Sequence, residues 1–265
     1  RNKFYIIVFV FSSLAMTETI HVPDDQPSIQ DAINVSEDGD SILVSPGFYP
    51  ESIDFDGKAI FISSLYLIEN DSLLIGSTII DAQESGSVVT FSSSETSQSI
   101  IQGFTIQNGT GNDEDPDDNG SYWTYGGGIY CEGSEPIIRD CIIQDNIANE
   151  GGGGGIFCYN ASPKFYGCSI NANETDDVGG GLYSRSESSP EFYDCTFFDN
   201  IAEFGGGCYL RNESSPIMEN VIFNQNTANN SGGGITLKDD ADLQAGQVFI
   251  INNEAEGLGG GMGGM

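Results

Sequence analysis

The residues best suited by type and spacing to do chemistry are aspartates that recur along the second half of the chain. Asp140 and Asp194 form one regularly spaced pair, and Asp145 and Asp199 form another. Hydrolysis of a glycosidic bond needs two carboxyl groups about 5–10 Å apart, one of them with a raised pKa. The spacing permits such a pair, but the surrounding sequence offers nothing that would bury either carboxyl group.

Elimination chemistry on a polysaccharide would instead need a base and a cation that stabilises the developing enolate. The sole histidine is His21, near the start of the chain. The arginines Arg139, Arg185 and Arg211 look scattered, because they do not fall at one position of the repeat described below. The sequence therefore favours a non-catalytic protein and predicts no catalytic residue. The catalytic alternative is a polysaccharide lyase or a glycoside hydrolase.

A Gly-Gly-Gly triplet organises the elements that would position these side chains. It recurs at intervals of 26 or 27 residues, beginning at Gly126, Gly153, Gly179, Gly205, Gly232 and Gly259. The first five triplets precede an apolar, usually aromatic, apolar or small pattern, and a proline turn and further short apolar stretches follow in most repeats. A fixed period indicates a solenoid, and alternation of period two indicates strands. The predicted fold is all-β, a single-stranded parallel β-helix with 26–27 residues per coil.

Two kinds of side chain recur at positions expected to point inward. The asparagines share one position of the repeat: Asn146, Asn173, Asn200, Asn226 and Asn253. Because stacked coils lie about 4.8 Å apart, such asparagines could hydrogen-bond to their equivalents above and below. The cysteines are Cys131, Cys141, Cys158, Cys168, Cys195 and Cys208. Several share a phase, which favours rows of small buried side chains over disulfide bridges.

Aromatic residues recur where alternation predicts an outward side chain. They follow the first apolar residue after four of the triplets: Tyr130, Phe157, Tyr183 and Tyr209. Tyr166 and Tyr193 could form a second row. Ring stacking between coils is the simpler interpretation of the first row. If the rings are exposed, the row could also bind a glycan, because the flat faces of sugars stack on aromatic rings.

Some of these motifs resemble known repeat families. The Gly-Gly-Gly-Ile triplets, with Phe197-x-x-Asn200 and Phe223-x-x-Asn226, resemble repeats of chlamydial polymorphic outer-membrane proteins. Residues 20–63, including Pro27-Ser-Ile-Gln-Asp-Ala-Ile-Asn34, are similar to the start of pectin-lyase-like β-helix proteins. The resemblance implies a right-handed coil and an extracellular or cell-surface setting. For the polymorphic proteins it also implies adhesion.

The chain is predicted to divide into several segments. Residues 1–15 have the basic flank and short apolar core of a secretory signal peptide, and no other stretch is long and apolar enough to span a bilayer. The β-helix is expected over residues 20–265, with irregular coils and a capping helix within 20–109. Residues 110–125 are predicted to be an acidic insertion loop. Regular repeats fill residues 126–265 and are expected to be truncated at the C-terminus.

The charge of the chain limits its partners. It has 40 acidic and 8 basic residues and a net charge of −32, so it should repel nucleic acid and attract cations such as calcium. No cofactor or metal-ligand set is predicted. The sequence favours a secreted or cell-surface protein with a structural or adhesive role, with a polysaccharide or surface glycan as partner. A calcium-dependent matrix or fibre component that associates end to end is a further alternative.

Overall fold

The described strands build three long parallel sheets that run along one solenoid. The computed structural model describes residues 17–69, 71–116 and 120–264. The signal peptide expected at residues 1–15 lies outside these residues. Within them, each regular coil adds one strand to each of these sheets, and the strands of these sheets pair only with the coils before and after. The prediction of an all-β parallel solenoid is confirmed.

The strands are grouped here by sheet. Sheet 1 contains Thr19–Val22, Ser41–Val44, Phe61–Ser64, Ile100–Gln102, Ile137–Arg139, Lys164–Tyr166, Glu191–Tyr193, Ile217–Glu219 and Gln244–Ala245. Sheet 2 contains Ile53–Asp54, Val89–Phe91, Ile129–Glu132, Ile156–Tyr159, Leu182–Arg185, Cys208–Leu210, Ile235–Leu237 and Met262–Gly264. Sheet 3 contains Gly47–Tyr49, Thr78–Asp81, Thr105–Gln107, Ile142–Gln144, Ser169–Asn171, Thr196–Phe198, Val221–Asn224 and Val248–Ile251. The short sheet 4 contains Ile201–Phe204, Thr227–Ser231 and Glu254–Ala255.

The described parts of the insertion form a β-hairpin rather than the loop expected from composition. Asn112–Glu114 pairs antiparallel with Trp123–Tyr125. Alternating aromatic and β-branched side chains favour extended backbone in the second strand. The hairpin brings Glu114 close enough to Glu132 of sheet 2 for their charges to interact.

Rows of apolar side chains fill the interior because equivalent residues of successive coils pair in register. Phe165 stacks on Phe192, with ring centroids 4.6 Å apart, and Phe197 stacks on Phe223 at the same distance. All four are fully buried. Burial of one such side chain contributes about 1.5–3 kcal/mol, so these rows are a main source of stability.

The six cysteines are buried free thiols. Cys141, Cys168 and Cys195 lie beside the phenylalanine rows, and their thiols donate hydrogen bonds to backbone carbonyl oxygens. Burial raises the pKa of the Cys141 thiol to about 12. These residues therefore pack as small apolar side chains, and burial keeps the Cys141 thiol protonated.

The glycine triplets form one corner of each regular coil, the glycine corner, where the backbones of successive coils approach closely. Gly179 has a φ of 70°, a conformation that side chains with a Cβ rarely adopt. At Gly180 a Cβ would clash with the backbone oxygen of Ile201 and would lie 2.6 Å from that of Gly206. Glycine is therefore required at this corner for two different reasons.

A capping helix covers the first coil. Helix α1, Ile29–Val35, buries Ile29, Ala32 and Ile33. The carboxylate of Glu51 accepts hydrogen bonds from the first two backbone amides of α1, each at 2.9 Å. The ammonium group of Lys58 donates to carbonyl groups at its other end. Both charges suit the helix dipole.

Two further short helices, α2 and α3, interrupt the early coils. They span Tyr66–Glu69 and Leu73–Ser77. Together with α1 they are the described helices of the chain, and the early coils are accordingly less regular than the coils built on glycine triplets.

Candidate functional site

The five repeat-phase asparagines lie one above another inside the solenoid. The side-chain N–H group of each of the first four asparagines donates to the side-chain oxygen of the next asparagine, over 2.8–3.0 Å. Each of these amides also donates to a backbone carbonyl group of the preceding coil, for example Asn200 to Ile170. The first four residues, Asn146, Asn173, Asn200 and Asn226, are fully buried, and Asn253 is half-buried. This row satisfies turn groups and has no surface on which to bind a ligand.

The aromatic row predicted to bind glycan lies on the outer side of sheet 2 but is covered. Tyr130, Phe157, Tyr183 and Tyr209 are at most 3 % exposed. They form a second apolar cluster with Tyr125, Val178 and other residues of the segments that precede the triplets. The expected exposed row is therefore corrected. Alternation does point these rings away from the core, but neighbouring segments fold over them.

Contacts along this covered row are those of a packed cluster. Ring centroids of successive members are 5.4–5.6 Å apart. The Tyr130 hydroxyl donates to Glu132 over 2.7 Å, and burial together with this bond raises the pKa of Tyr130. Burial and the neighbouring Tyr183 raise the pKa of Tyr209 to about 12. The rings stabilise the sheet, as the simpler interpretation of the sequence held.

The aspartate pairs considered for hydrolysis are turn residues. Asp140, Asp145, Asp194 and Asp199 all have positive φ angles of 48–56°. Aspartate tolerates this left-handed conformation better than most residues. Asp140 is half-buried and the other three are exposed. Their spacing reflects the repeated turn, and their surroundings do not desolvate a carboxyl group as a general acid would require.

Sheet 1 presents the second aromatic row in a more open setting. Tyr166 and Tyr193, the tyrosine pair, occupy adjacent strands on its outer face and are half-buried. Their rings stack with centroids 5.1 Å apart and an interplanar angle of 10°. The guanidinium carbon of Arg139 lies 5.4 Å from the centre of the Tyr166 ring. Because the rings stack face to face along the solenoid, their edges are what they present to solvent.

An ion pair lies beside the tyrosine pair. Lys164 and Glu191 are partners in the register of sheet 1, and their charged atoms are 2.8 Å apart. The Tyr193 hydroxyl donates to the other oxygen of Glu191 over 2.7 Å. Partial burial acts to raise the pKa of Glu191, but the hydrogen bonds from Lys164 and Tyr193 outweigh it and lower that pKa. The face thus combines fixed charges, a hydroxyl group and aromatic edges.

Two of the three arginines that looked scattered in the sequence share one position of the coil, and a lysine shares it with them. Sheet 2 pairs Ser184 with Leu210 and Leu210 with Leu237, so the residues that follow them are stacked: Arg185, Arg211 and Lys238. We call these residues the cation column. The expectation that the arginines have unrelated phases is thus wrong for Arg185 and Arg211. Counting residues from each triplet would have found this column, since it follows the covered aromatic row by two positions.

Two other classes of site have no support in the described residues. Within residues 17–69, 71–116 and 120–264, no group of three or more His, Cys, Asp or Glu residues could hold a metal ion. None of the helices that the structure describes is long and apolar enough to cross a membrane.

Comparison with known proteins gives a family match and structural neighbours, of which two are described. A family model described as a right handed beta helix region matches residues 63–255. A pectin methylesterase from carrot superposes with a TM-score of 0.50 at 13 % identity, covering 96 % of this chain and 89 % of the carrot chain. A mutant pectin methylesterase in complex with a hexasaccharide has a TM-score of 0.37 at 10 % identity, covering 86 % of this chain and 80 % of its own. No curated protein matches. At 13 % identity, the similarity to the carrot protein shows a shared fold only.

Proposed function

The chain belongs to the right-handed β-helix family, and we propose that it has a non-catalytic role. It binds polysaccharide outside the cell or at the cell surface. The observation that carries the proposal is the tyrosine pair on the outer face of sheet 1. Tyr166 and Tyr193 are half-buried there, whereas the rings on sheet 2 are covered. Open aromatic surface next to fixed polar groups commonly marks a binding site.

The chemistry of this face suits sugar hydroxyl groups. Glu191 can accept hydrogen bonds, Lys164 can donate them, and tyrosine hydroxyls can do both. Because Glu191 already holds Lys164 and Tyr193 in place, little side-chain entropy is lost when a ligand binds. The apolar C–H groups of a sugar would pack on the ring edges. This combination favours a weakly charged chain that lies across or along the coils.

The alternatives are less well supported by the geometry. Hydrolysis would require a desolvated carboxyl group, and Asp140, Asp145, Asp194 and Asp199 are turn residues open at least in part to water. A calcium-dependent fibre would require clustered oxygen ligands, and the described residues contain no cluster of three or more acidic, histidine or cysteine side chains suited to a metal. Adhesion is compatible with the proposal, because a bound surface glycan would provide it.

The test is binding of the full chain to an array of neutral and weakly charged polysaccharides. The variant Tyr166→Ala/Tyr193→Ala should bind the best ligand at least about tenfold more weakly, because the open rings supply most of the packing surface. Tyr193→Phe keeps the ring and removes the hydroxyl group, so it should lose less.

Phe198→Ala is the matched control. Phe198 is 36 % exposed on the outer face of sheet 3, so its truncation removes an aromatic ring from a different face. It should leave binding unchanged. The proposal is wrong if no polysaccharide on the array binds, or if Phe198→Ala weakens binding as much as the double variant does.

A further inference from the structure

The cation column places like charges in adjacent coils of a strongly acidic protein. The chain has only 8 basic residues against 40 acidic ones, yet Arg185, Arg211 and Lys238 occupy equivalent positions in three successive coils. Coils are about 4.8 Å apart, and like charges directly opposite each other destabilise a sheet. The structure therefore concentrates positive charge where the fold alone would not favour it.

Neighbouring carboxylates only partly balance this charge. Arg211 forms an ion pair of 2.7 Å with Asp239, and both side chains are about 40 % exposed. The ammonium group of Lys238 forms no ion pair with the described residues, although its charge acts on Asp177. Arg185 is 7 % exposed and lies over the ring of Tyr159. Lys238 is thus the member of the column most available to a ligand.

Buried aromatic side chains lie beside the column. Tyr183 and Tyr209 are buried next to it, and the charge of Arg211 acts on both hydroxyl groups. Loss of hydration raises the pKa of Asp177, even though Arg211 and Lys238 act in the opposite direction. Charges in such surroundings are screened less by water than charges on an open surface. An anion bound here would be held more firmly than one on an exposed lysine.

We propose that Arg211 and Lys238, together with the more deeply buried Arg185 of the preceding coil, bind a carboxylate or sulfate group carried on a sparsely charged glycan. A guanidinium group can hold two oxygens of such a group, and an ammonium group adds a compact charge. A densely charged polyanion is disfavoured, because the net charge of −32 repels it outside this small column. The proposal rests on the proposed polysaccharide function and assigns a second contact, on sheet 2, to the same class of ligand.

The experiment compares three probes of matched length: neutral dextran, lightly carboxymethylated dextran and lightly sulfated dextran. Titration calorimetry on the full chain should show that at least one charged probe binds more tightly than neutral dextran. The charged dextran that binds more tightly indicates whether the site prefers a carboxylate or a sulfate group. Lys238→Gln and Arg211→Gln should each weaken binding of that probe about fivefold to tenfold and leave binding of neutral dextran unchanged.

Gln98→Glu is the control, because it changes the net charge by the same unit as Lys238→Gln at an exposed position away from the column. It should change affinity for the charged probe less than about twofold. Arg211→Gln leaves Asp239 without its partner, so Arg211→Gln/Asp239→Asn separates loss of the site from loss of stability.

Two results would overturn this assignment: charged probes that bind no more tightly than neutral dextran, or an equal loss in Gln98→Glu. Failure of neutral glycans to bind at all would count against the tyrosine pair. Dependence of the charged probe on Lys238 would still be measurable in that case, so the two failures can be told apart.

Discussion

Individual asparagines stabilise the interior of this solenoid by satisfying polar groups that cannot reach water. The side-chain oxygen of Asn200 accepts hydrogen bonds from both the backbone amide and the side-chain amide of Asn173, at 3.1 and 3.0 Å. Its own side-chain amide donates to Ile170 and Asn226. Each asparagine therefore connects three coils. Loss of one member leaves buried partners unpaired in the coils on both sides.

We predict that Asn200→Ala lowers the free energy of unfolding by about 1–3 kcal/mol, because buried donors and acceptors lose their partners. Asn229→Ala is the matched control, since Asn229 is exposed in sheet 4, and it should cost less than about 0.5 kcal/mol. Thermal or chemical denaturation of both variants provides the measurement. Equal shifts in the two variants would contradict a stabilising role for the asparagine row.

At the level of the coil, the glycine corner sets how closely the turns stack. The second glycine of a triplet is needed because neighbouring backbone leaves no room for a Cβ, as at Gly180. The first is needed because its φ is positive, as at Gly179. Gly133 separates the two effects, because its φ is 58° and nothing lies within 4 Å of an added Cβ.

We predict that Gly180→Ala destabilises the protein by about 3 kcal/mol or more, since rigid backbone on the next coils cannot move away. Gly133→Ala should cost about 1–2 kcal/mol, the strain of a left-handed residue with a Cβ. Unfolding midpoints of the purified variants decide between them. A Gly180→Ala variant as stable as Gly133→Ala would show that the coils can separate at little cost.

For the whole molecule, the dominant electrostatic feature is self-repulsion. A net charge of −32 on 265 residues destabilises a compact state, and dissolved ions screen this repulsion. The described ion pairs, such as Lys164 with Glu191, are partly exposed and contribute little against it. Stability should therefore depend on ionic strength more than on any particular cation.

We predict that raising sodium chloride from about 10 mM to about 150 mM increases the Tm by roughly 2–4 °C, equivalent to about 1 kcal/mol. Calcium and magnesium chloride at matched ionic strength should give shifts within about 1 °C of each other, because screening does not distinguish them. Differential scanning calorimetry is the measurement. A shift specific to calcium would instead support the calcium-dependent alternative.

The sequence by itself determined which side chains point into the solenoid. In a parallel helix whose coils pair in register, position in the repeat is position on the coil. The phenylalanine rows, the asparagine row and the glycine corner could therefore be predicted by counting from each triplet. The cation column was within reach of the same count, because Arg185, Arg211 and Lys238 stand at one phase.

Only the tertiary structure decided which outward rows remain open. Tyr183 and Tyr193 both alternate away from the core, yet Tyr183 is buried and Tyr193 is half-buried. Alternation distinguishes the two faces of a strand but says nothing about what packs on the outer one. The segments that cover sheet 2 pair from coil to coil only through the short sheet 4 and isolated bridges, and they are polar in part, so they carry only a weak periodic signal. Their path depends on contacts with the finished sheet, such as that between Val178 and the covered rings.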